Sequence, residues 1–163
     1  MTEAAAPRPP VKRRFLTVGS RRVHYLRAGE GPPVVLIHSS PANARLLMKE
    51  IVRLAQAHTV FAFDTPGYGL SDALTDDVVT VPVLADALAD TLAAIGMPPC
   101  PVFGTHTGAA IALEFGVRHP ERVTGLVLDG VPAFTAAERA TYFQDYFGRI
   151  PIDELGGQYA MAW

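Results

Sequence analysis

The stretch Cys100–Leu113 reads CPVFGTHTGAAIAL. An apolar strand beginning at Pro101–Phe103 runs into Gly104-Thr105-His106-Thr107-Gly108, and a helix rich in small residues, Thr107–Val117, leaves it. One glycine stands two positions to either side of a single functional side chain. This is the G-x-S-x-G spacing of an elbow between strand and helix, with His106 in the central place. Such a turn is strained, so its central side chain projects above the edge of the sheet. Gly104 and Gly108 avoid clashes where strand and helix come close, and Ala109 and Ala110 keep the approach tight. The start of the helix offers unpaired N–H groups and partial positive charge to an anion.

Working outward, apolar runs alternate with helical periodicity. Phe15–Val18 and Val23–Ala28 read as a hairpin across Gly19-Ser20. Val34–Ile37, Thr59–Phe63 and Thr124–Leu128 are continuous apolar runs, the pattern of strands buried on both faces. Asn43–Ala57 carries Leu46, Leu47, Ile51, Leu54 and Ala55 at helical spacing. Leu84, Leu88, Leu92 and Ile95 form a second helical stripe, with Thr80 as its N-cap, Pro82 in the first turn and Gly96 as its stop. Ala136–Gly148 is a further helical stretch, with Tyr142, Phe143, Tyr146 and Phe147 grouped on one side. Strands alternating with helices after an opening hairpin predict an α/β fold with a mostly parallel sheet.

Composition bounds the function. The chain has 163 residues, enough for one domain, and 49% of them are hydrophobic, enough for a buried core. Lys plus Arg is 14 against 16 Asp plus Glu, a net charge of −2, so no phosphate-neutralising surface and no nucleic-acid partner is expected. Cys100 is the one cysteine, which excludes an intrachain disulfide framework. The Pro98–Leu113 stretch is too broken by prolines and glycines to cross a membrane. Met1–Arg14 has no apolar core of a secretory signal, and a cytoplasmic location is expected. Histidines are scattered singly, so no metal site is expected. Asp64-Thr65-Pro66-Gly67 matches the D-x-x-G loop of GTPases, but no G-x-x-x-x-G-K-[ST] loop precedes it. No G-x-G-x-x-G follows a strand, which disfavours a dinucleotide cofactor.

Further segments carry a family resemblance. Val34-Val35-Leu36-Ile37-His38-Ser39-Ser40-Pro41 looks like a strand followed by a His-Gly-x-Pro loop. Phe63-Asp64-Thr65-Pro66-Gly67-Tyr68-Gly69-Leu70-Ser71-Asp72 is similar to a D-x-P-G-x-G-x-S-D loop. His119-Pro120-Glu121-Arg122-Val123 and Gly125-Leu126-Val127-Leu128-Asp129 look like the segment after an elbow helix and the next strand. With the elbow, and in this order, they resemble the α/β-hydrolase superfamily over residues 15–135. The resemblance implies a cofactor-free enzyme acting on a small ester, amide or activated carbonyl compound. It also implies an oxyanion hole formed by the backbone N–H groups of Ser40 and Thr107, and a helical cap beginning at Ala136.

The departures from that pattern concern the site. His106 stands where the family has Ser, Asp or Cys. An imidazole can be a nucleophile, can act as a base or orienting group because its ordinary pKa is about 6.5, or can simply tolerate the turn in a non-catalytic protein. Ser39 replaces the usual Gly. Ser39 and Ser40 read as a plain polar loop, the alternative being a displaced Ser nucleophile paired with His106. Asp129 ends its strand near the position where some relatives carry their acid. His38 is expected to be a structural hydrogen-bonder, and Asp64 and Asp72 to hold their turn through backbone hydrogen bonds. His24, His58 and His119 do not fit the place of a triad base.

The organisation expected is therefore a flexible segment at residues 1–13, an α/β-hydrolase core at 14–135 and the start of a helical cap at 136–163. In the family's order the acid and the catalytic His come after the cap, so the chain reads as the N-terminal part of such a protein, incomplete at its C-terminus. The strand at Thr124 and the cap face would then lack partners, and self-association through them is expected. A ligand-binding or scaffold protein using the same pocket without catalysis is the alternative function.

Overall fold

The structure is a computed structural model in which residues 9–142 and Gln144 are described. Residues 1–8, and Phe143, Tyr146 and Phe147 of the expected cap face, lie outside them. Two compact units divide at Pro132/Ala133.

The first unit is built on a 6-stranded sheet. Its strands are β1 (Lys12–Val18), β2 (Arg21–Ala28), β3 (Pro33–Ile37), β4 (Thr59–Phe63), β5 (Cys100–Thr105) and β6 (Val123–Asp129). They lie in the order β1-β2-β4-β3-β5-β6. β1 and β2 form the antiparallel hairpin, and β2 runs antiparallel to β4. β4, β3, β5 and β6 are mutually parallel. β1 starts at Lys12, paired with Arg27, so part of the segment read as a lead-in is strand.

Strand alternation splits the core between the two faces. Val35 and Ile37 of β3 point to one side, against α2 (Val81–Ala94) and α3 (Thr107–Arg118), where Leu84, Leu88, Leu92, Ile111 and Phe115 are buried with them. Val34 and Leu36 point to the other, with Leu47 and Ile51 of the segment leading into and through α1 (Met48–Leu54). β3 is thus apolar at every inward and outward position, as a central parallel strand requires. A fully buried side chain such as Leu36 contributes about 1.5–3 kcal/mol.

The Leu84/Leu88/Leu92 stripe is buried in α2, and Thr80 caps the helix by accepting from the Val83 N–H. The expected helix over Asn43–Ala57 is shorter and split into a 3₁₀ turn, Ala44–Leu47, and α1. Two side-chain acceptors tighten that turn: Asn43 Oδ1 takes the Arg45 N–H at 3.0 Å and Asp64 Oδ1 takes the Ala44 N–H at 2.8 Å. Arg118 donates to both carboxylate oxygens of Asp86, at 2.9 and 2.6 Å, and joins α3 to α2. These bonds, together with one from His119, hold the Asp86 carboxyl below its usual range.

In the second unit, α4 (Ala136–Tyr142) opens with a reciprocal cap. The Thr135 N–H donates to Glu138 Oε2 at 2.8 Å, and the Glu138 N–H returns to Thr135 Oγ1 at 3.2 Å. Phe134 stacks on Tyr142 with ring centroids 4.9 Å apart.

Candidate active site

His106 sits between β5 and α3 with φ 49° and ψ −111°. It is the one non-glycine residue with positive φ among the described residues. A side chain in that region is strained, and the surrounding backbone must hold it there. Three contacts do so. The His106 N–H donates to the Asp129 carbonyl at 2.7 Å, and its own carbonyl accepts from Ala109 and Ala110 at 2.9 and 3.1 Å. The glycines on either side explain the tightness. A Cβ on Gly104 would collide with the backbone of Gly108 and Ala109, and one on Gly108 with the carbonyls of Ile37 and His38. The His106 ring is exposed and rests against Gly130. The helix ladder begins at Ala109, so the Thr107 and Gly108 N–H groups lie ahead of it, at the positive end of α3.

Ile37 of β3 is level with Gly104 of β5, so the loops carrying Ser40 and His106 leave neighbouring strands at the same edge. His38 organises the first of these loops. Its Nε2 accepts from the Thr65 N–H at 3.0 Å and its Nδ1 donates to the Ser39 carbonyl at 2.9 Å. The Thr65 donor requires a bare Nε2, which places the single proton on Nδ1. The same Ser39 carbonyl accepts from Ala42, so one ring fixes the turn that presents Ser40. His38 is buried, and that burial lowers its pKa from the ordinary value.

Asp64 ties the loops together from below. Its Oδ1 accepts from Ala44, and its Oδ2 accepts from Leu70 at 2.9 Å and from His24 Nδ1 at 2.8 Å. Its carbonyl takes the Ser71 hydroxyl, whose oxygen in turn accepts the His24 N–H. Asp72 accepts from the Arg22 N–H at 2.8 Å, so both loop aspartates hold backbone. The His24 side chain in this buried network was not legible as a partner of Asp64. The missing signal is the antiparallel β2–β4 pairing, which sets Tyr25 beside Phe63 and therefore His24 beside Asp64.

Asp129 lies at the end of β6, and its contact with His106 is made by its carbonyl. Its carboxylate accepts from the Thr105 hydroxyl at 3.4 Å. The other imidazoles with described partners are committed elsewhere: His24 to Asp64, His38 to Thr65 and Ser39, His119 to Asp86. Burial pushes the Cys100 thiol up to about 11, a protonated and unreactive group. No group of three or more His, Cys, Asp or Glu side chains among the described residues could hold a metal ion. No helix among them is long and apolar enough to cross a membrane.

A family model for the alpha/beta hydrolase fold matches residues 32–163. The chain is 30% identical over 145 residues to epoxide hydrolase 3 of Mus musculus, covering 87% of this chain and 38% of that protein. It is 34% identical over 128 residues to the 2-hydroxymuconate semialdehyde hydrolase of Pseudomonas sp. (strain CF600), covering 75% of this chain and 44% of that protein. Among solved structures, epoxide hydrolase VrEH1 from Vigna radiata superposes with a TM-score of 0.75 at 23% identity, over 84% of this chain and 48% of that one. The chain spans less than half the length of each of these proteins. With its parallel sheet, opening hairpin and flanking helices, the chain belongs to the α/β-hydrolase fold family.

Proposed function

We propose that this chain carries the catalytic face of a hydrolase acting on a small ester, amide or activated carbonyl compound. The observation that supports it is the left-handed His106 between Gly104 and Gly108, at the positive end of α3. The backbone N–H groups of Ser40 and Thr107 receive the negative charge that develops on the substrate oxygen. His106 acts as a base on a bound water molecule. Its imidazole takes a proton as the water oxygen attacks the carbonyl carbon, and returns it to the leaving group. The curated relatives include hydrolases of an epoxide and of a semialdehyde by name, which supports a small electrophile as substrate.

The test is turnover of p-nitrophenyl acetate by the wild type and by His106→Ala. General-base loss is expected to lower kcat by about 100-fold or more with little change in KM. Equal turnover in both proteins rejects a reactive His106. If neither turns over and a carbonyl ligand binds both equally, the ligand-binding reading replaces the catalytic one.

A further inference from the structure

A cavity of about 430 Å³ lies on the α1 face of the sheet, walled by β1, β2 and the loops after β3 and β4. That is within the range of roughly 300–1,000 Å³ typical of small-molecule sites. None of His106, Thr107, Ser40 or Asp129 lines it. The β1–β2 register sets Arg13 directly across from Leu26, and Phe15 across from His24, so Arg13, His24 and Leu26 share this face. Leu26 is buried and forms apolar floor, while Met48 and Leu70 also line the cavity although they are 36% and 44% exposed. Arg45 faces it from the 3₁₀ turn.

The charges here are not balanced within the described residues. No ion pair reaches the side chain of Arg13 or Arg45, as is also true of other basic side chains such as Arg14 and Arg53. The one acid in the wall, Asp64, is already engaged by the Ala44 and Leu70 amides and by His24. His24 is 4% exposed, and its Nε2 is buried without a hydrogen-bond partner. Two guanidinium groups without ion-pair partners and an apolar floor thus line one cavity of a chain whose net charge is −2.

We infer that this cavity binds a small carboxylate with an apolar body. The planar guanidinium fork matches a carboxylate in two-point hydrogen bonding, and the floor of Leu26, Met48 and Leu70 takes the hydrocarbon part. A compact polyanion would leave that floor unused. This inference is independent of the role of His106.

The experiment titrates octanoate into the 163-residue chain by calorimetry and by amide NMR, with octanol and inorganic phosphate as comparison probes. Saturable octanoate binding is expected, with shifts at the amides of Arg13, Leu26 and Arg45. The double variant Arg13→Ala/Arg45→Ala is expected to weaken it by about 10-fold or more. Octanol is expected to bind more weakly than octanoate. Both arginines are exposed, and circular dichroism checks that the variant keeps its fold. If the double variant does not fold, Arg45→Glu alone gives the same reading. Octanoate affinity unchanged by these substitutions, shifts that map to another face, tighter binding of octanol or of phosphate, or no saturation by about 1 mM each overturns the inference.

Discussion

His38 shows how one side chain can be fixed by two bonds and a proton. Its neutral ring accepts from Thr65 through Nε2, and a second proton would abolish that bond. The folded state therefore resists protonation, while the unfolded chain takes up a proton near the ordinary histidine value of about 6.5. Its contribution to stability is fully present above that value and is lost as pH falls from there toward the lowered value of the folded state. Urea unfolding from pH 7 to pH 5 is expected to show decreasing stability. His38→Asn is expected to be less stable at pH 7 by about 1–3 kcal/mol and to have a shallower pH slope. An unchanged slope in the variant would assign the titration to another group. At this scale much was legible: His38 as a hydrogen-bonder, and Asp64 and Asp72 as holders of backbone, follow from residue type and loop position. The His24–Asp64 pair was hidden because it depends on which strands are neighbours, and no local pattern encodes that.

Elements were readable where period and punctuation agreed. Thr80, Pro82, the leucine stripe and Gly96 bracket α2 almost to the residue. The helix after β3 is shorter than its apolar spacing predicts, because its first turn is tightened by a carboxylate far along the chain. The tight contact between α3 and β3 offers a direct check. A Cβ on Gly108 meets the carbonyls of Ile37 and His38, which are backbone and cannot yield, whereas a Cβ on Gly116 meets the end of the Leu126 side chain, which can rotate. Gly108→Ala is expected to lose about 1–3 kcal/mol in denaturant unfolding. Gly116→Ala is expected to lose less than about 1 kcal/mol, since helix propensity offsets part of the crowding. Similar losses in both variants would contradict the close approach at Gly108.

Across the whole molecule, the parallel sheet and opening hairpin were foreseeable from the alternation of runs, but the strand order was not. Pairings such as β2 with β4 join segments tens of residues apart, which no local pattern reports. Among the described residues β6 is paired on one side only, and its Val127 is 58% exposed. Such an edge is a template for pairing with another chain. Sedimentation velocity is expected to show association that grows with concentration and is reduced by Val127→Lys, and a monomer at every concentration would remove the edge from consideration. Asp64 has a mechanical consequence at this scale. One carboxylate is the fulcrum for the chain after β3 and the chain after β4, with β2 as its anchor. The two segments share that carboxylate, so a displacement of the stretch bearing Arg45 is passed through this lever to the stretch bearing Leu70.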